Sequence, residues 1–594
     1  MTKHKYNFGI IGNCSYMSYI DTHANVVWQC WPSFDSSFIF GSLVSEKKGG
    51  GFSIQPVHSY KSGQAYVQNT NVLETQFETK DGKFKVVDFS PRFENFDRYH
   101  RPNQLFRKVE LIEGSPLIKI KCNPVGNYGE VAAKKTHGSN SINFEGLNAN
   151  VRLTTNVAKT HIIHENEFVL TEDLYLVLTY DAPLEAPLKE TFESFLEKTV
   201  HYWRQWVRRS SIPSIYQEEV IRSALLLKLH QYEDTGAIIA AGTTSLPEAP
   251  GEERNWDYRY CWIRDSYFTL NALTNLGHFN EAERYSHWIQ NIVQNERGGK
   301  FQPVYKIDGS SKIEESILPL EGYLGNGPVR VGNDAYRQVQ NDVYGQMILS
   351  LLPLYTDLRT FENSSTPSLK LVNKILNCIE QVMDKPDAGI WEFRGKMQKH
   401  AESFLFHWAG AQAAKKIAVK YQDHDMQIKA QKLIDESTKQ IELCFDSDKL
   451  AYGMSQENKS LNASEFLLIT MHYLDKSQLE KAKNHIEALE KELKICDDLI
   501  YRYRDHDDFG ETKSTFLICA FWYAEALAEI GEIERAKKVF DSLLTRSNHL
   551  GIYSEDICPT DGSQWGNVAQ TYSHVGLINT AFKIFIRQHK PSYL

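Results

Sequence analysis

The sequence predicts an antiparallel β-sandwich followed by a closed ring of α-helices. Three observations carry this. Apolar residues alternate with period two through the first part of the chain, helical spacing takes over near Pro187, and twelve helical stretches then follow one another. The resulting divisions are a β-sandwich over 1–187, a linker helix over 188–214 and a helical barrel over 215–594. A chain of 594 residues is too long for one ordinary domain, so a tandem arrangement is expected.

In the first region, Asn71 to Thr79 alternates and ends at Asp81-Gly82, a hairpin signal, with Lys83 to Phe89 as the partner strand. Pro116 to Cys122, Ser141 to Phe144, Val151 to Thr155 and Glu167 to Tyr180 are further strands. Short strands joined by Gly, Asn and Pro turns favour a sandwich. Lys189 to Arg209 then places Phe192, Phe195, Leu196, Val200, Trp203 and Val207 at helical spacing. Trp203 and Trp206 on it read as packing residues.

The twelve helical stretches are 215–235, 265–277, 279–295, 338–358, 367–384, 402–421, 424–445, 462–475, 477–494, 514–531, 533–547 and 573–588. Alternating up and down, they close as six αα-hairpins with an inner and an outer ring. The segments preceding the even-numbered helices are the unusual ones: Trp256 to Asp265, Gly332 to Asp342, the stretch around Glu392, Gly453 to Leu461, Arg502 to Arg504, and Glu555 with Trp565. Alternation puts all six loops at one end of the inner ring. Loops on a rigid scaffold are where sites concentrate, so one cleft is expected there.

Composition excludes several functions. Hydrophobic residues make up 42% and charged residues 24%, as in a folded protein. The net charge of −9 and the lack of a basic stripe exclude a broad nucleic-acid surface. No run of 18 apolar residues predicts a membrane span. The nine Cys residues include no Cys-x-x-Cys and no zinc-type cluster, so free thiols and a reducing compartment are expected. Met1 to Phe8 has no apolar stretch of cleavable-leader type behind it, which favours a cytoplasmic protein while leaving leaderless export open. His400, His407 and His574 are not spaced as a metal trio. The sequence does not set the oligomeric state.

Two carboxylates stand out. Glu392 lies in Gly389-Ile390-Trp391-Glu392-Phe393-Arg394-Gly395, and Glu555 lies in Tyr553-Ser554-Glu555-Asp556, ten residues before Trp565. A carboxyl pair is the minimum equipment for breaking a glycosidic bond: one protonates the departing oxygen, the other takes a proton from water. Aromatic neighbours offer walls for a sugar face. Glu392 is the candidate acid and Glu555 the candidate base, with Asp556 its competitor. Each also has a bland reading, Glu392 as a helix cap or partner of Arg394, and Glu555 as part of a solvated acidic turn. Arg264-Asp265 reads either as a helix cap or as a pair that binds sugar hydroxyls, and Tyr258 and Trp262 crowd the same stretch. Arg502 and Tyr503 form a second candidate clamp. Trp391 and Trp565 are candidate cleft walls. The chemistry requires no metal and no organic cofactor.

These residues resemble glycoside hydrolase family 15, the glucoamylases with related glucosidases and trehalases. The resemblance rests on Ile11 to Ser36, on Thr70 to Thr75, on Thr243-Thr244-Ser245-Leu246-Pro247-Glu248 with Arg254 to Asp265, on Gly389 to Gly395, and on Ser554-Glu555 with Gly566-Asn567 and Ser573-His574. It covers nearly the whole chain. It implies an N-terminal β-sandwich, an (α/α)6 catalytic barrel and an inverting mechanism. Glu392 falls on the general acid and Glu555 on the general base. Arg264, Asp265 and Arg502 fall on substrate ligands, Tyr258 on the aromatic beside the oxocarbenium-like centre, and Trp262 on a cleft wall. One stretch departs: many bacterial members carry His-Ser-Lys after the Trp-Glu motif, where this chain has Glu402-Ser403-Phe404. The Phe version is closer to starch-cleaving members. The expected activity is therefore exo-acting α-glucosidase of glucoamylase type, releasing β-glucose from α-1,4 and α-1,6 ends of maltodextrin, starch or glycogen. An α,α-trehalase is the alternative. A glycoside phosphorylase, which would not need Glu555, and a non-catalytic carbohydrate-binding protein rank below both.

Overall fold

The computed structural model describes residues 3–184, 186–361 and 367–588. Two antiparallel sheets form the N-terminal region. The first runs Phe8–Gly12, Met17–Asp21, Asn25–Cys30, Gly51–Pro56, Leu117–Asn123 and Glu167–Val169, with Phe38–Phe40 beside Asn25–Cys30. The second runs Lys134–His137, Ser141–Glu145, Val151–Thr155, Leu174–Tyr180, Gln104–Gly114, Gly82–Phe89, Leu73–Thr79 and Tyr60–Tyr66. The Asp81-Gly82 turn joins a hairpin in which Phe77 faces Phe84 and Thr79 faces Gly82. Period-two alternation turns Leu73, Phe77, Phe84, Val109 and Leu176 inward against Ile11, Ile20, Phe52 and Ile120 of the other sheet.

The stretch from Glu167 to Tyr180 reads as one strand but forms two, one in each sheet. The chain crosses between the sheets at Leu170 to Asp173, where Asp173 Oδ1 accepts the Leu111 N–H at 3.1 Å and its carbonyl accepts from Asn156. A short helix, α1 (Lys159–Ile163), precedes this crossing. Helix α2 (Leu188–Arg208) lays Phe192 on the outer face of the second sheet against Val87, Phe89, Phe106 and Val177. Trp203 and Trp206 on it are buried, as packing residues should be.

Twelve helices follow: α3 (Gln217–His230), α4 (Ser266–Asn275), α5 (Phe279–Asn295), α6 (Asp342–Thr356), α7 (Leu369–Val382), α8 (Ala401–Lys420), α9 (His424–Glu442), α10 (Leu467–Thr470), α11 (Leu479–Leu493), α12 (Leu517–Glu529), α13 (Ile533–Leu544) and α14 (Thr571–Gln588). Helices α4, α6, α8, α10, α12 and α14 are successive neighbours, and α14 returns to α4, closing an inner ring. The odd-numbered helices lie outside. Inner helices such as α12 and α14 are buried on nearly every face, so they are apolar all round, whereas the outer α7 and α13 bury one stripe. Helix α10 is shorter than its apolar pattern suggests. The Asn462–Glu465 capping box opens a 3-10 turn, Ala463–Phe466, and His472 at φ 63° ends the run.

The sandwich also holds parts of the barrel. Trp28 Nε1 donates to Gly242 O at 2.7 Å, and Tyr6 OH donates to Gly566 O at 2.9 Å. Arg259, paired with Asp257 at 2.7 Å, donates to Ser36 O. These bonds fix the segments that carry Tyr258 and Glu555.

Candidate active site

One cleft opens at the end of the ring where the loops before the inner helices meet. Its walls include Glu248, Trp256, Tyr258, Trp262, Arg264, Asp265, Trp391, Glu392, Arg502, Tyr503 and Glu555, and it holds about 960 Å³ including its open mouth. Glu392 and Glu555, far apart in the chain, line the same space.

Glu392 sits at φ 61°, a left-handed backbone that costs a non-glycine residue about 1–3 kcal/mol. The turn is held from several sides. Glu392 N–H donates to Gly389 O at 3.1 Å, Gln338 donates to Glu392 O at 3.2 Å, and Ile390 N–H donates to Glu402 Oε1 at 3.0 Å. The departure at Glu402 thus has a place: a buried acceptor under the acid turn, its carboxyl pushed up to about 8 by burial. At the Glu392 side chain, Trp262 Nε1 (2.7 Å), Arg264 (3.2 Å) and Gln340 (3.3 Å) all donate to Oε1. Oε2 has no protein donor among the described residues. Neither bland reading of Glu392 holds. Helix α8 starts at His400 without a side-chain cap, and Arg394 lies over the Trp256 ring and near Glu315.

Glu555 lies on a short strand, Ser554–Ile557, and is 2% exposed, so it belongs to no solvated turn. Tyr258 OH donates to its Oε1 at 2.7 Å, while Oε2 has no hydrogen-bond partner. The Tyr258 and Trp262 rings meet edge-on at 5.3 Å, so the two carboxylates hang from touching aromatics. Burial, with Glu248 adding its charge, pushes Glu555 up to about 8, against the pull of Arg502.

Asp265 occupies the N-cap position of α4 but its side chain caps nothing, and its buried Oδ1 has no hydrogen-bond partner, with Arg264 Nε 3.9 Å away. Burial pushes it up to about 7, with Arg264 opposing and Glu392 and Asp342 assisting. A carboxyl group lining a cleft with no hydrogen-bond donor from the protein suits a ligand hydroxyl. Trp391 is fixed by Asn462 Oδ1 at 2.9 Å, and Tyr503 donates to Asp507 at 2.6 Å.

Trp565 is the one misplaced candidate. It does not line the cleft; it stacks on His4 at 4.3 Å and donates to Ser563 Oγ. Side chains alternate along a strand, so with Gly566 turned to the Glu555 side, Trp565 faces away. Sequence reasoning also missed residues. Glu248 is 2% exposed, accepts from Arg502 at 2.6 Å and from Trp256 at 3.2 Å, and sits beside Glu555. Its signal was its place in Thr243-Thr244-Ser245-Leu246-Pro247-Glu248, one of the stretches that carry the family resemblance. Asp507, Asp508 and Phe509 close the outer wall from a stretch that reads as an ordinary polar loop. Among the described residues no His, Cys, Asp and Glu group is arranged to hold a metal ion, and no helix is long and apolar enough to cross a membrane.

Comparison with known proteins decides the family. The model for glycosyl hydrolases family 15 matches residues 214–582, and a trehalase-like N-terminal model matches residues 6–172. The chain belongs to glycosyl hydrolase family 15. This family-15 chain is a glycosidase with the β-region and helical barrel expected of it. It is 32% identical to a trehalase from Thermoplasma volcanium, the match covering 97% of this chain and 93% of the relative. It is 30% identical to a trehalase from Mycolicibacterium smegmatis over 97% and 91%. Among solved structures, a bacterial glucoamylase in complex with acarbose superposes with a TM-score of 0.68 at 14% identity, covering 98% of this chain and 94% of that one, a likeness of fold.

Proposed function

We propose that this family-15 glycosidase is an inverting α,α-trehalase, with Glu392 as general acid and Glu555 as general base. The observation that carries the chemistry is the paired suspension of the carboxylates. Each has one oxygen held at 2.7 Å by an aromatic donor, Trp262 or Tyr258, and no protein N–H or hydroxyl donor on the other among the described residues. The substrate reading rests on the relatives that span almost the whole chain and carry the name trehalase. They favour the alternative over the glucoamylase-type activity that Phe404 suggested.

In the mechanism, Asp265 and Arg264 bind the hydroxyls of one glucose. Glu392 protonates the bridging oxygen through Oε2 while water held by Glu555 attacks the anomeric carbon from the opposite face. Room for that water requires carboxyls roughly 6.5–9.5 Å apart. The attacked glucose leaves as the β-anomer. The departing glucose keeps its own C1–O bond and leaves as α. Proton NMR of fresh hydrolysate should therefore show equal α- and β-glucose before mutarotation; α-glucose alone sinks inversion. Glucose release from trehalose, maltose, maltodextrin and isomaltose tests the substrate, and faster turnover of maltodextrin than trehalose restores the glucoamylase reading.

A further inference from the structure

Glu555 and Asp556 are neighbours on a strand, so their side chains should point to opposite faces. The strand instead shifts register against Gln564–Val568 between Ser554 and Asp556, and such a bulge re-aims a side chain. Both carboxyl groups turn toward Gly566. Glu555 Oε2 lies 2.9 Å and Asp556 Oδ2 3.0 Å from the point where a Gly566 Cβ would stand. Only glycine, here at φ 75°, leaves that point empty. Both oxygens are buried and neither has a hydrogen-bond partner, whereas Asp556 Oδ1 accepts the Ser514 hydroxyl at 2.9 Å.

The surrounding charges do not balance. Glu248 is a third carboxyl group. Arg502, the cation facing all three, already pairs with Glu248 at 2.6 Å, and Arg254, the other guanidinium beside Glu248, is taken up by Glu252 and Asp507. The other titratable groups facing the pair, Tyr258, Tyr6 and Cys519, are held protonated by burial. Three buried carboxyl groups then share the one guanidinium not taken up elsewhere, a crowding of like charge that retains a proton on one of them. Burial first, then Glu555 and Glu248, raises Asp556 well above the ordinary carboxylate range.

We propose that Asp556 is a positioning residue that keeps a proton and donates it to Glu555 Oε2, so that the base stays ionised and fixed in direction. Tyr258 then holds Oε1 and Asp556 holds Oε2, and a remaining lone pair grips the attacking water. The proton that water gives up goes to Glu555 and leaves to solvent after turnover; Asp556 retains its own. This rests on Glu555 as the base, a reading tested separately by loss of turnover in Glu555→Gln.

Infrared difference spectra of the full chain near neutral pH test the proton directly. The wild type should show a protonated-carboxyl C=O band, shifted in D2O, that is absent from Asp556→Asn. In Glu555→Gln the band should weaken, because the neighbouring charge that retains the proton is gone. Kinetics test the hydrogen bond: Asp556→Asn, which keeps a donor, should lose about tenfold in kcat and Asp556→Ala about a hundredfold, KM staying within about threefold in both. A band that persists in Asp556→Asn, a band indifferent to Glu555→Gln, or equal losses in the Asn and Ala variants each overturn the proposal. If Asp556→Asn does not fold, the Glu555→Gln spectrum still decides.

Discussion

Two buried charge clusters in this protein are built on opposite principles. Where the sandwich meets the barrel, Arg92 pairs with Glu233 at 2.6 Å and Lys228 with Glu281 at 3.3 Å, with Arg284 completing the group. There three cations cover two anions. Burial alone would raise the carboxyls, but Arg92 and Lys228 outweigh it and hold Glu233 and Glu281 down at about 2. In the cleft, acids outnumber bases, and burial pushes Asp265 and Glu555 in its wall, and Asp342 buried behind Arg264, up to about 7, 8 and 6. A cluster whose anions are all paired holds structure together. An unbalanced one keeps groups that neither fully ionise nor find a protein partner, which is the condition of a site awaiting a ligand.

The sharpest way to break this contrast is to neutralise one carboxyl in each cluster. Glu392→Gln and Glu555→Gln should each lower kcat/KM by about 10³-fold or more, with the unfolding midpoint near wild type. Near-normal turnover in either variant removes that residue from its role. Glu233→Gln should do the reverse. It strands Arg92 in the interior and should cost about 3–5 kcal/mol in denaturant unfolding, while the pH optimum stays put. An unchanged midpoint would mean that the interface cluster bears no load.

Tyr258→Phe probes the cleft more gently. It deletes the hydroxyl donor to Glu555 and should lower kcat by about 10–100-fold with KM little changed. A pure KM effect would make Tyr258 a substrate wall only.

The two clusters also respond oppositely to pH. Asp265, Asp342 and the Glu555–Asp556 pair, which shares one proton, have folded-state pKa values above their unfolded values near about 4. The stability they contribute is complete below that pH and is lost as pH rises through about 6 to 8. Glu233 and Glu281 are depressed, so their contribution is present above the unfolded value and lost as pH falls toward about 2. Melting temperature should therefore decline from pH 5 to pH 8, and Asp265→Asn should flatten that arm alone. A curve that rises over the same window contradicts the assignment. The smallest effect is expected from Trp565→Phe, since its ring packs on His4: KM for the glycoside substrate should stay within about twofold.

Much of this was legible in advance, for reasons that differ by element. The twelve barrel helices follow from apolar spacing because each must bury a stripe or a whole surface, and that leaves a periodic trace. The placing of six loops at one end needed only their alternation. Glu392, Glu555, Tyr258, Arg264 and Asp265 stood out because chemistry-bearing residues crowd short stretches. Trp565 misled because an aromatic beside a catalytic motif looks the same whichever face it takes. Glu248 and Phe509 were missed although they lie only ten residues from Tyr258 and six from Tyr503, because irregular loops have no period that tells which side chains face the cleft.

By itself, then, the sequence determined the order of folds, the number of helices and the identity of the two carboxylates, all of which depend on local patterning. Only the tertiary structure decided which oxygen of each carboxylate stays free, that Glu555 and Asp556 share one face, and that Trp565 looks elsewhere. Those outcomes depend on a strand bulge, a left-handed turn and hydrogen bonds between distant segments, and none of these has a period that a linear chain can display.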